Sequence, residues 1–297
     1  MVGLFTVYEF RPVVVPVVSR FVLEEIVRCL EAGREFVEVT LDLGLSRARV
    51  EVRDGYVYFP NSSISIDEVR SVLEDCDETD LYAVLGDRLV HLSLATEERY
   101  YKLRCVGPET APTLEISGIH MHRICGISPW EDSMSKVAAA RVRPCCRVLD
   151  VCTGLGYTAI GSLRRGACHV VTIEKDVNVL KIAEYNPWSR ELASSRVTVI
   201  LGDACEVVKY LEDSSFDRII HDPPRFSLAG ELYSTEFYRE LYRVLKPGGF
   251  LYHYVGYPGA KYRRLDVMSG VVKRLRIVGF DVWKVDEVWG VVARKRR

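Results

Sequence analysis

The chain has 297 residues, 48% of them hydrophobic, and a formal net charge of −1 at pH 7, which suits one large domain or two modest ones with a substantial core. It has no apolar run of about 18 residues and no CxxC pair among nine scattered cysteines, which excludes a membrane-spanning helix, a disulfide framework and a zinc ribbon or finger. The charge is divided: residues 1–118 hold 12 Lys and Arg against 21 Asp and Glu (−9), and residues 119–297 hold 28 against 20 (+8), so either a polyanion meets the second half or the halves dock on each other.

The opening MVGLFTVYEFRPVVVPVVSR is apolar in places but interrupted by Glu9, Arg11, Pro12 and Pro16. It lacks a basic leader and a cleavage site, so mature structure and a cytoplasmic location are expected. Over 17–30, Val17, Phe21, Leu23, Ile26, Val27 and Leu30 share one broad helical face, and Gly33 stops the helix. Segments 36–41 and 47–53 alternate as strands, and Asp54-Gly55 turns a hairpin into 56–59. Ser65 is the expected N-cap of a helix over 66–73. Gly86-Asp87 turns a second hairpin between 81–85 and 88–94, and a strand follows at 100–106. Gly107, Pro108 and Pro112 mark a linker. The expected division is an N-terminal α+β domain, 1–112, suited to substrate recognition or docking, and a second domain, 113–297.

From residue 147 onward strands (about 147–152, 169–174, 197–201, 216–221 and 249–255) alternate with helices (about 157–165, 177–186, 204–212, 231–245 and 262–277). That alternation predicts a doubly wound, mostly parallel α/β sheet with right-handed crossovers. Segments 280–285 and 288–294 have no helix between them, so an antiparallel hairpin is expected to complete seven strands.

Val148-Leu149-Asp150-Val151-Cys152-Thr153-Gly154-Leu155-Gly156-Tyr157 is a strand, a glycine loop and a helix start. Gly154, Gly156 and Ala159 fit GxGxxA, which a dinucleotide site also shows. Asp150, near the strand end, suits a cationic amino group better than a pyrophosphate. Glu174 ends the next strand, where an acid accepts hydrogen bonds from ribose hydroxyls, as NAD and S-adenosylmethionine equally require. Asp203 follows the strand after that; its carboxylate suits an adenine N6 amine, with the Ala204 N–H directed at adenine N1.

This set resembles the class I S-adenosylmethionine-dependent methyltransferases over about residues 126–297. The resemblance implies a Rossmann-like methyltransferase fold. It also implies that the loop containing Asp150, Thr153, Gly154, Gly156 and Tyr157 cradles the methionine part of the cofactor, that Glu174 binds ribose and that Asp203 and Ala204 lie by adenine. The segment entering before the first strand commonly folds over the cofactor in this superfamily, which makes Ser133 and Lys136 candidates for holding its carboxylate. His120, His122 and Arg123 are candidates for lining the acceptor cleft.

His221-Asp222-Pro223-Pro224-Arg225-Phe226 ends another strand of the same sheet. A nucleobase amine is a weak nucleophile because its lone pair is delocalised into the ring, and methyl transfer needs it positioned and pyramidalised by two acceptors. The Asp222 side chain and the Pro223 carbonyl supply both, with the Pro223-Pro224 step presetting the geometry. The run resembles the [D/N/S]-P-P-[Y/F/W] motif of amino methyltransferases acting on adenine N6, cytosine N4, guanine N2 or glutamine amides. It departs at the fourth position, where Arg225 stands; either Phe226 stacks on the base or the Arg225 guanidinium does.

More of the chain, including Leu251-Tyr252-His253-Tyr254-Val255-Gly256, is similar to an archaeal family of predicted methyltransferases, which implies ribosomal RNA cytosine N4 as the target. Transfer RNA guanine or adenine, or a protein amide, are alternatives. Lys261, Arg263, Arg264, Lys273, Arg274 and Arg276, with the tail 294–297, form a basic cluster suited to RNA phosphates. No metal and no membrane partner are expected. The rival from another class is aminopropyl transfer in polyamine synthesis, which wants an acidic pocket; Glu131, Asp132, Glu231 and Glu236 are its candidates.

Overall fold

The computed structural model describes residues 5–257, 261–262 and 265–297. The chain forms two compact units. One takes the segment up to Phe10, Glu131–Val177 and Glu191–Arg297; the other takes Arg11–Trp130 and Asn178–Arg190. This differs from a division at 112/113, for three local reasons. Phe5–Tyr8 pairs as a strand with Val197–Gly202 of the large sheet. Thr113–Ile116 pairs with Tyr100–Arg104 and so stays with the first-half unit. Residues 178–190 are held there too: the Trp188 indole donates to the Leu43 carbonyl at 3.1 Å, and the Val13 N–H donates to Glu184 O at 2.8 Å.

The Arg11–Trp130 unit is α+β. An antiparallel meander of Phe36–Val39, Ala48–Arg53, Tyr56–Phe59 and Ser62–Ser65 buries Val37, Val50, Val52, Val57 and Ile64 in a core shared with helices Arg20–Glu31 and Ile66–Asp75. Ser65 caps the second helix, its hydroxyl accepting from Glu68 N at 3.1 Å. The helix expected from residue 17 starts instead at Arg20, because Val17–Ser19 is drawn into a strand pairing with Leu81–Leu85.

The other unit is built on an eight-stranded mixed sheet. Its strands are Phe5–Tyr8 (β1), Arg147–Val151 (β2), His169–Glu174 (β3), Val197–Gly202 (β4), Phe216–His221 (β5), Leu245–Tyr254 (β6), Phe280–Val285 (β7) and Gly290–Lys295 (β8), in the order β1-β4-β3-β2-β5-β6-β8-β7. β4, β3, β2, β5 and β6 are parallel. The expected hairpin is present, with β8 antiparallel to both β6 and β7. The eighth strand, β1, was not expected: it is a half-exposed edge strand with little hydrophobic alternation.

The helices from residue 129 onward are Pro129–Ala139 (α1), Tyr157–Arg164 (α2), Val177–Glu184 (α3), Ala204–Val207 (α4), Thr235–Val244 (α5) and Val267–Val278 (α6). All belong to this unit except α3, which from Asn178 on belongs to the other, and the first two residues of α1. The central strands are buried almost throughout, as a sheet covered on both faces requires. Leu149, Ile219, Phe216, Leu241, Leu251 and Leu275 have no exposed surface, and each such side chain stabilises by roughly 1.5–3 kcal/mol relative to exposure. The helix expected over 204–212 is one α-turn followed by a 3-10 turn, and that over 231–245 is a 3-10 turn, a Ser234 cap and α5. Among the described residues no helix is long and apolar enough to cross a membrane.

Candidate active site

The strand order reverses between β2 and β5. Open α/β sheets hold ligands outside the carboxyl ends of their strands at such a switch point. The Asp222 N–H donates to the Val151 carbonyl at 3.3 Å, so the glycine loop after β2 and the Asp-Pro-Pro turn after β5 leave the sheet side by side.

Gly154 has φ +53°, and a Cβ there would meet nothing within 4 Å, so the loop presents bare backbone at that point. Gly156, φ +78°, is the N-cap of α2, and a Cβ there would lie 2.5 Å from the Leu192 side chain. Thr153 and Tyr157 turn inward, 4% and 1% exposed; the Thr153 hydroxyl is 2.6 Å from that of Thr172 on β3.

Glu174, at the end of β3, accepts from Gly154 N at 3.0 Å on one oxygen, and from Lys175 N at 2.9 Å and Asp176 N at 3.0 Å on the other. Burial raises its pKa, and the three backbone donors hold the increase back. Asp203, after β4, caps α4 by accepting from Cys205 N at 2.8 Å, with Ala204 buried behind it.

Asp150 has no exposed surface and accepts from the Thr172 hydroxyl at 2.7 Å. Burial pushes its pKa up to about 7 against hydrogen bonds from Thr172 and Thr158. Through the Thr172 bond it links β2 to β3.

Ser133 and Lys136 lie buried on α1, each 1% exposed. Lys136 was expected at the cofactor carboxylate. Its Nζ instead lies 2.7 Å from Asp222 Oδ2 and 2.9 Å from Asp132 Oδ2, and 4.6 Å from the Tyr254 ring centroid. Burial opposes its charge, but the two carboxylates outweigh burial and hold its pKa above the ordinary lysine value. Asp222 is itself pushed up by burial, with Lys136 pulling the other way. Its second oxygen, Oδ1, makes no hydrogen bond within the described structure.

Pro223 is buried, Pro224 half-buried and Arg225 exposed. The turn is held by Tyr233, whose hydroxyl donates to Pro224 O at 2.9 Å. Phe226 packs edge-on against the Tyr233 ring, centroids 5.3 Å apart, and against the core. Below Asp222, His221 and His253 are fully buried with ring centroids 4.3 Å apart. His221 Nε2 donates to Leu232 O at 2.9 Å, and burial pushes its pKa down to about 4. His253 Nε2 meets the Tyr238 hydroxyl at 2.8 Å.

The remaining expected residues are held as follows. His120 and His122 lie in the Arg11–Trp130 unit, His120 near Glu115 at 3.3 Å and His122 on the Thr113 hydroxyl at 3.0 Å; Arg123 lies in that unit too. Of the basic cluster, Arg263 and Arg264 fall outside the described residues. Arg274 has a buried Nε, and Lys295 is spent on the carbonyls of Tyr242 and Leu245, both at 2.7 Å. Lys273 and Arg276 remain exposed, joined by Lys284 along one groove. Among the described residues no group of His, Cys, Asp and Glu side chains is arranged to hold a metal ion. Sequence reading missed Tyr233, which no local pattern marks. It missed the Asp132–Lys136 pair as a unit, although the i,i+4 spacing marks one helix face.

Comparison with known proteins agrees with this geometry. The family described as "Methyltransferase domain" matches residues 148–249, the stretch holding the glycine loop, Glu174, Asp203 and Asp222. Over 273 residues the chain is 46% identical to the uncharacterized protein MJ1233 of Methanocaldococcus jannaschii, covering 90% of this chain and 92% of that one. It is 33% identical over 138 residues to polyamine aminopropyltransferase 2 of Streptomyces coelicolor, covering 44% of this chain and a quarter (25%) of that one. It is 29% identical over 128 residues to ribosomal RNA large subunit methyltransferase I of Aeromonas hydrophila, covering 40% and 32%. Among solved structures, a spermidine synthase bound to the transition-state analogue AdoDATO superposes with a TM-score of 0.55 at 19% identity, over 68% of this chain and 72% of that one, which establishes the shared fold.

The residues present fit S-adenosylmethionine. Gly154 leaves open the space a side chain would fill, Glu174 offers carboxylate oxygens at the end of β3, and Asp203 and Ala204 stand at the next strand end. The chain belongs to the family that includes the M. jannaschii protein, and its residues 148–249 form a methyltransferase domain.

Proposed function

We propose that the protein methylates an exocyclic amino nitrogen of a nucleobase in RNA, most specifically cytosine N4 of ribosomal RNA, in the cytoplasm. The observation carrying this is the placement of Asp222-Pro223-Pro224 at the switch point, bonded to the strand that feeds the glycine loop, with Asp222 Oδ1 free to accept. When bound, S-adenosylmethionine supplies a methyl group activated by a sulfonium. Glu174, Asp203 and the backbone at 152–156 hold it. Asp222 Oδ1 and the Pro223 carbonyl accept the two amine N–H groups, which localises the nitrogen lone pair and turns it toward the methyl donor. The bound donor would supply its methyl carbon to the nitrogen with cleavage of the sulfur–carbon bond, and Asp222 or water would take the surplus amine proton. Tyr233 fixes the turn. Phe226 is committed to Tyr233 and the core, so the exposed Arg225 guanidinium is the better placed of the two to stack on a base.

The aminopropyl alternative keeps support from the aminopropyltransferase relative and the shared fold. The acidic pocket it wants is weakly supplied: Asp132 is taken by Lys136, and Glu231 and Glu236 are exposed. Mass spectrometry of ribosomal RNA nucleosides from a deletion strain decides. Loss of a methylated cytidine with polyamines unchanged supports the proposal; loss of a polyamine with nucleosides unchanged refutes it.

A further inference from the structure

Asp132, Lys136 and Asp222 enclose three charges where β5 ends. Asp132 and Lys136 stand one turn apart on α1, 1% exposed each, and the Asp222 side chain is 16% exposed. A buried ion pair is a poor stabiliser, because desolvation consumes most of its Coulomb gain. The arrangement therefore needs a reason in the site. Two carboxylates at 2.7 and 2.9 Å and an aromatic face at 4.6 Å are the surroundings an alkylammonium ion seeks. Lys136 already supplies that ion from within the chain.

We propose that Lys136 is a specificity-determining residue: its ammonium fills the cation site made by Asp132, Asp222 and Tyr254 and so restricts the acceptor pocket to uncharged amines. This rests on the reading of Asp222 as the amine acceptor. An alkylamine of the polyamine kind is protonated near neutral pH and meets an ammonium already in place. A ring-conjugated amine carries no charge, and needs Asp222 Oδ1 beside the Pro223 carbonyl; Lys136 leaves Oδ1 open while holding Oδ2. Without Lys136 the cation position between the two carboxylates is open, and the pocket becomes an alkylammonium site.

The test is binding of putrescine and of methylammonium, followed by calorimetry and thermal unfolding, to the wild type, Lys136→Ala, Asp132→Asn and Asp222→Asn. Lys136→Ala is expected to bind putrescine about tenfold or more tighter than the wild type, and methylammonium to raise its unfolding temperature selectively. Asp132→Asn, which keeps the ammonium, is expected to gain neither. A Lys136→Ala protein that still binds S-adenosylmethionine but gains no affinity for either amine overturns the proposal. If that variant does not fold, the wild type still decides: putrescine uptake that disappears in Asp222→Asn overturns it, and absence of such uptake supports it. None of these readouts uses RNA, so a failed RNA substrate and a failed cation site are told apart.

Discussion

The Gly154 N–H donates to Glu174 Oε2 at 3.0 Å. The acid ending β3 therefore holds the glycine loop ending β2 with one oxygen, while its other oxygen receives two backbone N–H groups of its own turn. A single side chain thus fixes the backbone of the loop after β2 and of its own turn.

Glu174→Ala is expected to weaken S-adenosylmethionine binding roughly a hundredfold, because it removes a charged acceptor and releases the loop it braces. Gly154→Arg places a long side chain in the space left bare by the loop, and is expected to abolish binding while the protein stays folded. Gly156→Ala is expected to cost stability as well, since its Cβ would press 2.5 Å from Leu192 at a positive φ. Calorimetric titration of folded Gly154→Arg checks the assignment: unaltered affinity would place the cofactor elsewhere.

On the proposed reading Asp222 acts once the cofactor is in place. Asp222→Ala is expected to retain cofactor binding and to lower methyl transfer by roughly a hundredfold or more. Asp222→Asn keeps an oxygen acceptor and is expected to retain more activity than the alanine variant. Single-turnover rates beside cofactor affinities separate the two steps. An alanine variant with normal turnover would remove Asp222 from the reaction.

The parallel strands were legible because each reads as a compact apolar run, and 169–174 and 216–221 were placed to the residue. The partnership of Lys136 with Asp222 was not legible. It joins a helix before the sheet to a turn 86 residues on, and sequence offers no periodicity across such a gap. The hydrogen bond from Thr172 to Asp150 was not legible for a related reason: it depends on the register of β3 against β2. β1 was missed because an edge strand buries little and so alternates little.

The site's buried titrating groups oppose each other with pH. Asp150 has its pKa raised from 3.8 to about 7, so the folded state holds a proton that the unfolded state releases. Its contribution to stability falls as pH rises from about 4 to 7, by up to roughly 4 kcal/mol. His221 has its pKa lowered from 6.5 to about 4, so the unfolded state takes up a proton that the folded state refuses. Its contribution falls as pH drops from about 6.5 to 4, by up to roughly 3 kcal/mol. The two slopes largely cancel in the wild type. Asp150→Asn is expected to lose stability more steeply on acidification than the wild type, and His221→Gln less steeply. Denaturant midpoints at pH 5 and pH 7.5 check both, and parallel profiles for all three proteins would contradict the burial of these groups.

The surviving basic surface makes the last prediction. Lys273, Arg276 and Lys284 line one groove between α6 and β7 with Ser269, Val272, Ile277 and Val282. Lys273 and Arg276 lie three residues apart on α6, and Lys284 stands on the edge strand beside them, a spacing suited to successive phosphates. If RNA is the substrate, each cation that meets a phosphate contributes about 0.7–0.9 to the slope of log affinity against log salt. Lys273→Gln with Lys284→Gln is expected to lower RNA affinity at low salt and reduce that slope by about 1.5, with cofactor binding unchanged. Arg274→Gln is expected to act differently. Its guanidinium has a buried Nε and interacts with the Tyr238 hydroxyl, so it should lower stability and leave the salt slope alone. Filter binding across a salt series distinguishes the two effects. A slope unmoved by the lysine pair would take this groove out of the RNA path.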